Sequence, residues 1–145
     1  MLTFSKICVQ DAKELALLDR ECFSVPWSED SFIKEADNPL AEYVIARIND
    51  KIVGYAGFWS VSGEGQITNI AVLKEYRRNK IAYKMLSFLI DRAKKLNLEV
   101  LSLEVRESNI AAINLYLAMN FKQVGIRKNY YKNPTENAVL MDLVL

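Results

Sequence analysis

Apolar positions recur along this chain at two spacings, every second residue or every third to fourth, and the switches between them divide it into candidate strands and helices. Leu2, Phe4, Ile7 and Val9 give a first strand from Leu2 to Val9. Asp11 suits a helix N-cap, with Glu14 completing a box-like start. That helix runs to about Phe23, with Leu15, Leu18 and Cys22 on one face. Pro26-Trp27-Ser28 breaks it, and Ser28 caps a second helix carrying Phe32, Ile33 and Ala36, which Asn38-Pro39 stops. Ala41 to Arg47 and Ile52 to Val61 read as a hairpin about Asn49-Asp50-Lys51. After Gly63-Glu64-Gly65, Gln66 to Val72 is a fourth strand.

Ile81 to Leu96 is the clearest helix, with Ile81, Met85, Phe88, Leu89, Arg92 and Ala93 at three- and four-residue spacings. Asn97 fits a left-handed cap. In Val100 to Val105, Leu101, Leu103 and Val105 share one face, and Ser102, Glu104 and Arg106 the other. Ser108-Asn109 opens a short helix to about Met119, with Asn120 as its cap. Phe121 to Arg127 and Ala138 to Leu145 close the chain as paired strands joined by a polar loop, Lys128 to Asn137. The order β-α-α-β-β-β-α-β-α-β-β is an α+β arrangement. Its crossover helix between strands four and five implies one parallel step in an otherwise antiparallel sheet.

The stretch from Gln66 to Ala93 joins a strand, a basic turn and a helix N-terminus. The first amides of a helix lack internal partners, so this sequence makes an anion site. Arg77 and Arg78 either line that site or form a solvated basic turn.

Composition narrows the chemistry. The chain has 145 residues, 51% of them hydrophobic and 26% charged, which suits a single domain over residues 1–145. A net charge of +1 argues against chain-wide nucleic-acid or membrane surfaces. No apolar run approaches the roughly 20 residues of a membrane span, and no signal peptide is visible, so a cytoplasmic protein is expected. Cys8 and Cys22 match no metal spacing and are expected to be buried thiols. With His 0, histidine-based triads and histidine-ligated zinc are excluded, and no metal is expected.

Several segments together resemble the Gcn5-related N-acetyltransferase (GNAT) superfamily, and within it the bacterial ribosomal-protein alanine N-acetyltransferases. They are Pro26-Trp27-Ser28, Asn69-Ile-Ala-Val72, Leu103-Glu-Val-Arg-Glu-Ser-Asn109, Ala111-Ala-Ile-Asn-Leu-Tyr116, Asn120-Phe121, Arg127-Lys-Asn-Tyr-Tyr131 and Pro134-Thr-Glu-Asn-Ala138. The resemblance implies the GNAT fold. It also implies transfer of acetyl from acetyl-coenzyme A (acetyl-CoA) to a protein N-terminal α-amine, a ribosomal protein as partner, and direct attack in a ternary complex. A lysine side chain or small amine as acceptor, and a non-catalytic GNAT module, are the other readings.

On that resemblance, Ile70, Ala71 and Val72 would pair with the pantetheine arm. Arg77, Arg78, Asn79, Lys80, Ile81, Ala82 and Tyr83 would hold the pyrophosphate, with Asn109 also at the cofactor. Glu104 would be the general base (otherwise a surface carboxylate paired with Arg106), and Tyr116 the acid (otherwise a packing aromatic). Trp27, Tyr130 and Tyr131 would wall the peptide site, or the two tyrosines would anchor their loop. Glu136 would hold the substrate ammonium. Tyr55, Phe58 and Trp59 are expected in the core. One position departs from the family: Lys80 stands where its phosphate loop has a glycine. Lys80 is expected to keep a negative φ if the loop is to work.

Overall fold

The computed structural model describes residues 1–145. Its strands are β1 (Leu2–Lys6), β2 (Ala41–Ile48), β3 (Lys51–Val61), β4 (Glu64–Val72), β5 (Val100–Arg106), β6 (Lys122–Tyr131) and β7 (Glu136–Val144). Its helices are α1 (Ala12–Cys22), α2 (Glu29–Ala36), α3 (Ile81–Lys95) and α4 (Ile110–Ala118). The strands form one sheet in the order β1-β2-β3-β4-β5-β7-β6. Every neighbouring pair is antiparallel except β4 with β5, the expected parallel step.

Alternation along the strands gives the sheet two apolar faces. Phe58, Leu101, Leu103 and Met141 pack with Leu86 and Leu89 of α3 on one. Tyr43, Ile45, Tyr55 and Ala71 pack with Leu15 and Phe32 of α1 and α2 on the other. Tyr55 and Phe58 are core residues as expected, but Trp59 is 38% exposed and its indole N–H donates to Glu35. Phe88 of α3 is also exposed, while Leu86 is fully buried in its stead.

Short polar residues turn the chain. Asn49 and Asp50 both have positive φ and close the β2–β3 hairpin, with Ile48 opposite Lys51. Asn97 and Asn120 adopt the left-handed conformation expected after α3 and α4, and the Ser28 hydroxyl caps α2 by accepting from Ser31.

The N-terminal segment departs from expectation. β1 stops at Lys6, and a 3-10 turn (Val9–Asp11) precedes α1. The Asp11 carboxylate accepts the Cys8 amide at 2.9 Å, one turn earlier than expected. Glu14 completes no box; it accepts the Ile52 amide at 2.7 Å and ties α1 to β3. Cys8 is exposed and Cys22 half-buried, so neither is the buried thiol expected.

The larger correction lies at the C-terminus. The polar run from Lys128 to Asn137 is mostly strand: β6 continues to Tyr131 and β7 begins at Glu136. β6 is the sheet's edge and is exposed along most of its length, so no alternation marks it in the sequence.

Candidate active site

The site is a fault in the sheet. β4 and β5 pair only at Glu64–Val100, Gly65–Leu101 and Gln66–Ser102. Beyond that point β4 stays with β3 and β5 with β7, so the two parallel strands part. The β5-facing edge of Ile70, Ala71 and Val72 is left without a strand partner. Unpaired strand edges are ready templates for another amide-bearing chain.

A cavity of about 990 Å³ opens there. Its walls include every residue of the expected cofactor set except Asn79, together with Tyr116. The Asn79 amide group turns back to the carbonyls of Tyr76 and Arg77 at 3.2 and 3.4 Å. Asn109 caps α4, its side chain accepting the Ala112 amide at 3.2 Å. Cys22 and Phe23, at the end of α1, join this wall without any signal in the sequence. They are far from the motifs in the chain, and only folding brings them close.

The basic loop reaches α3 through two left-handed residues, Arg78 (φ 68°) and Lys80 (φ 60°, ψ 21°). The expectation of a negative φ at Lys80 is therefore wrong. The chain must reverse between strand and helix, and the backbone keeps a glycine-like geometry with a lysine in place. Such geometry costs an L-residue about 1–2 kcal/mol. Lys80 is exposed, and α3 has no acidic residue in its first turn, so its free amides face a positive surrounding. The Arg77 guanidinium folds inward, where Nε donates to the Val72 carbonyl at 3.0 Å.

Glu104 sits on the other side of the fault, half-buried on the face opposite Leu103 and Val105. Its partner is Arg127 at 3.5 Å, not Arg106. Arg127 stacks on Tyr130, and Arg106 stacks on Tyr131 with 4.5 Å to the ring centroid. Adjacent strand residues ordinarily point to opposite faces. Here left-handed Asn129 (φ 53°) and an irregular register after Arg127 bring the Tyr130 and Tyr131 rings within 5.1 Å. These two tyrosines lie in β6 rather than in a loop. The nearby Glu104 carboxylate and burial raise the pKa of Tyr130. Burial and the Glu104 charge push Tyr131 up to about 12.

Tyr116 approaches the fault from the α3 face, packed on Phe121 at 5.8 Å. Its side chain is buried, yet no buried side-chain polar atom lacks a partner and its hydroxyl makes no protein hydrogen bond, so that hydroxyl opens onto the cavity. Burial, then the neighbouring Tyr131, hold its phenol well above the ordinary range.

Two expected substrate residues also have partners within the protein. The Glu136 carboxylate accepts the Ser108 amide at 2.7 Å and pairs with Arg106 at 3.1 Å. The Ser108 hydrogen bonds, then Arg106, lower its pKa. Each oxygen thus has one donor and keeps a second lone pair for a further one. Trp27 packs on Phe32 and Tyr43, with centroids at 5.5 and 6.4 Å. It shares the face of Glu104 but does not line the cavity.

A parallel strand pair that parts over a left-handed basic loop and a helix N-terminus is the architecture of an acyl-coenzyme A N-acyltransferase. The residues fit that ligand: a cavity of sufficient volume, a free strand edge for amide pairing, and cations beside unpaired helix amides. Comparison with known proteins carries this further. The model of the Acetyltransferase (GNAT) family matches residues 12–121. The chain belongs to that family, and it is an N-acetyltransferase that uses acetyl-CoA. It is 32% identical to the ribosomal protein bS18-alanine N-acetyltransferase of Escherichia coli (strain K12), covering 99% of this chain and 97% of that one. It is 36% identical to the Haemophilus influenzae protein of that name, with 97% of each chain covered. The crystal structure of the Escherichia coli alanine N-acetyltransferase superposes with a TM-score of 0.91, covering 99% of this chain and 94% of that one. Arabidopsis thaliana NAA60 in complex with acetyl-CoA is 17% identical and shares the fold, with a TM-score of 0.91 over 100% of this chain and 99% of that one.

Proposed function

We propose that this enzyme acetylates the N-terminal α-amine of a ribosomal protein beginning with alanine, by direct attack in a ternary complex. The observation that carries the reading is the fault between β4 and β5. It has a cofactor-sized cavity along it and one half-buried carboxylate, Glu104, flanked by tyrosines beside it. Relatives at 32% and 36% identity over nearly the whole chain carry that activity in their names, which supports the choice of acceptor. A lysine or small amine as acceptor has no observation of its own in favour.

Bound acetyl-CoA supplies an activated thioester carbonyl; everything else falls to the chain. The free edge of Ile70 to Val72 holds the amide-rich arm. The α3 amides, with Arg78 and Lys80, hold the phosphates. Glu104 takes a proton from the incoming ammonium, directly or through water, and leaves a neutral amine to attack. The Tyr116 phenol stays protonated, because its pKa is raised. It stabilises the departing thiolate by donating a hydrogen bond, since an ordinary thiol titrates near ~8.5 and would not strip a phenol above ~10; the thiolate takes up, through water, the proton that the nitrogen sheds as the amide forms. Tyr130 and Tyr131 wall the peptide slot, and Trp27 borders it.

Neither cysteine is near the motifs in sequence, which argues against an acetyl-cysteine intermediate, but the position of Cys22 reopens that question. Cys22 lies in the cavity wall, with its thiol 3.7 Å from the Val72 carbonyl, so an acetyl-cysteine route is within reach. Burial raises its pKa against the opposing effect of Arg77, which leaves a poor nucleophile. Intact-mass measurement of the enzyme with acetyl-CoA alone tests this. Direct attack leaves the mass unchanged and a Cys22→Ala variant active; an acetylated enzyme that deacetylates on peptide addition would refute it.

A further inference from the structure

Asp19 is the only buried charged or polar residue, 1% exposed on the inner face of α1. One of its carboxylate oxygens accepts the Trp27 amide at 2.7 Å, and the other accepts the Tyr55 hydroxyl at 2.5 Å. Tyr55 has a single hydroxyl proton, and that proton goes to Asp19. Burial and the Asp19 charge hold the phenol above its ordinary range, so it keeps the proton. The Tyr55 oxygen can then only accept, and it does so from Nδ2 of Asn69 at 2.8 Å. The orientation of the Asn69 amide follows: nitrogen toward Tyr55, oxygen away from it. Oδ1 has no protein partner, and no buried side-chain polar atom is left unpaired, so Oδ1 is open.

The register shows where that oxygen lies. β4 carries one extra residue, Thr68, between Ile67 opposite Phe58 and Asn69 opposite Gly57. Asn69 is therefore two rungs beyond Gln66, the last residue of β4 paired with β5. Glu104 is two residues beyond its partner Ser102. The two side chains stand at the same level on either side of the fault. They also share a face: Asn69 bonds Tyr55 of the α1–α2 face, and Glu104 points away from α3.

We infer that Asn69 is a substrate-contacting residue, whose side-chain oxygen accepts an N–H of the incoming α-amine opposite Glu104, with Asp19 and Tyr55 as the positioning residues that aim it. A neutral amide suits this place. It orients the nitrogen toward the thioester without adding a second negative charge, which would hold the amine as its unreactive ammonium. The inference rests on the proposed delivery of an amine to Glu104.

The test is steady-state kinetics on a peptide beginning with alanine, with acetyl-CoA affinity measured on every variant as a report of the intact fold. Asn69→Ala is expected to lower peptide kcat/KM about tenfold, with acetyl-CoA affinity within about twofold of the wild type. Asn69→Asp is expected to move the acid limb of the kcat–pH profile up by about one unit, because the added carboxylate stabilises the bound ammonium. Tyr55→Phe frees the amide to turn and is expected to cost about threefold in peptide kcat/KM. If Asn69→Ala lost acetyl-CoA binding through damage to the fold, the other two variants, which keep the side-chain volume, decide. Wild-type peptide kinetics in Asn69→Ala, or an unmoved acid limb in Asn69→Asp, overturns the inference. A wild-type enzyme inactive on every amine would instead overturn the proposed function.

Discussion

Replacing Lys80 with glycine should make the protein more stable, although the substitution removes a side chain. Lys80 holds a left-handed backbone (φ 60°, ψ 21°), which costs an L-residue about 1–2 kcal/mol. Glycine removes that strain but gives back about 0.5–1 kcal/mol through the greater freedom of the unfolded chain. The midpoints leave a net gain of about 0.75 kcal/mol. In a chain of 145 residues that corresponds to a rise in Tm of about 2–3 °C. Lys80→Ala keeps the Cβ and therefore the strain, so it serves as the control for lost side-chain contacts. The assay is thermal unfolding of the three proteins without ligand, followed by acetyl-CoA titration. The backbone already has the glycine-like conformation and the lysine is exposed, so acetyl-CoA affinity should change by less than about fivefold in Lys80→Gly. Lys80→Gly no more stable than Lys80→Ala would refute the strain. A more than tenfold tightening of acetyl-CoA would show that the Cβ crowds the phosphates.

Other expectations follow from the site. Glu104→Gln should lower kcat about a hundredfold with acetyl-CoA affinity retained, and a variant with wild-type turnover removes Glu104 as base. Tyr116→Phe, whose hydroxyl opens onto the cavity, should also lower turnover by up to about a hundredfold; undiminished kcat ends its role at the leaving group. Stability should fall at alkaline pH. Burial raises the pKa of Tyr43, Tyr55 and Tyr116, so the unfolded chain loses these protons first. Their contribution is intact below about pH 10 and declines above it, by about 1.4 kcal/mol per pH unit for each phenol still protonated in the fold. Urea midpoints between about pH 8 and about pH 11, read with tyrosinate absorbance, check this; a flat midpoint contradicts it.

Much of the architecture was legible because it rests on strong local signals. The strand, basic turn and helix from Gln66 onward, the alternation that puts Glu104 on the face opposite Leu103 and Val105, and the two left-handed asparagines all follow from period and turn chemistry. What could not be read depends on contacts distant in sequence or on overridden preferences. Lysine disfavours a left-handed backbone, yet Lys80 adopts one where the loop from β4 enters α3. Tyr130 and Tyr131 looked like loop residues because an exposed edge strand shows no alternation, and the left-handed Asn129 that turns both rings the same way leaves only a weak trace. Glu136 looked free because its partners, Arg106 and Ser108, come from the end of β5 and the turn after it. Asp19 did leave a signal: an acidic residue four positions after Leu15, on the apolar face of α1.

The central claim is that the fault between β4 and β5 presents a protein N-terminus to Glu104. It is tested most directly by comparing two peptides of the same sequence with acetyl-CoA under identical conditions. One begins with a free alanine; the other has that amine blocked and keeps a lysine side chain. Acetylation confined to the free α-amine, with the blocked peptide turned over at least about a hundredfold more slowly, is the expected result. Equal or faster acetylation of the blocked peptide would contradict it.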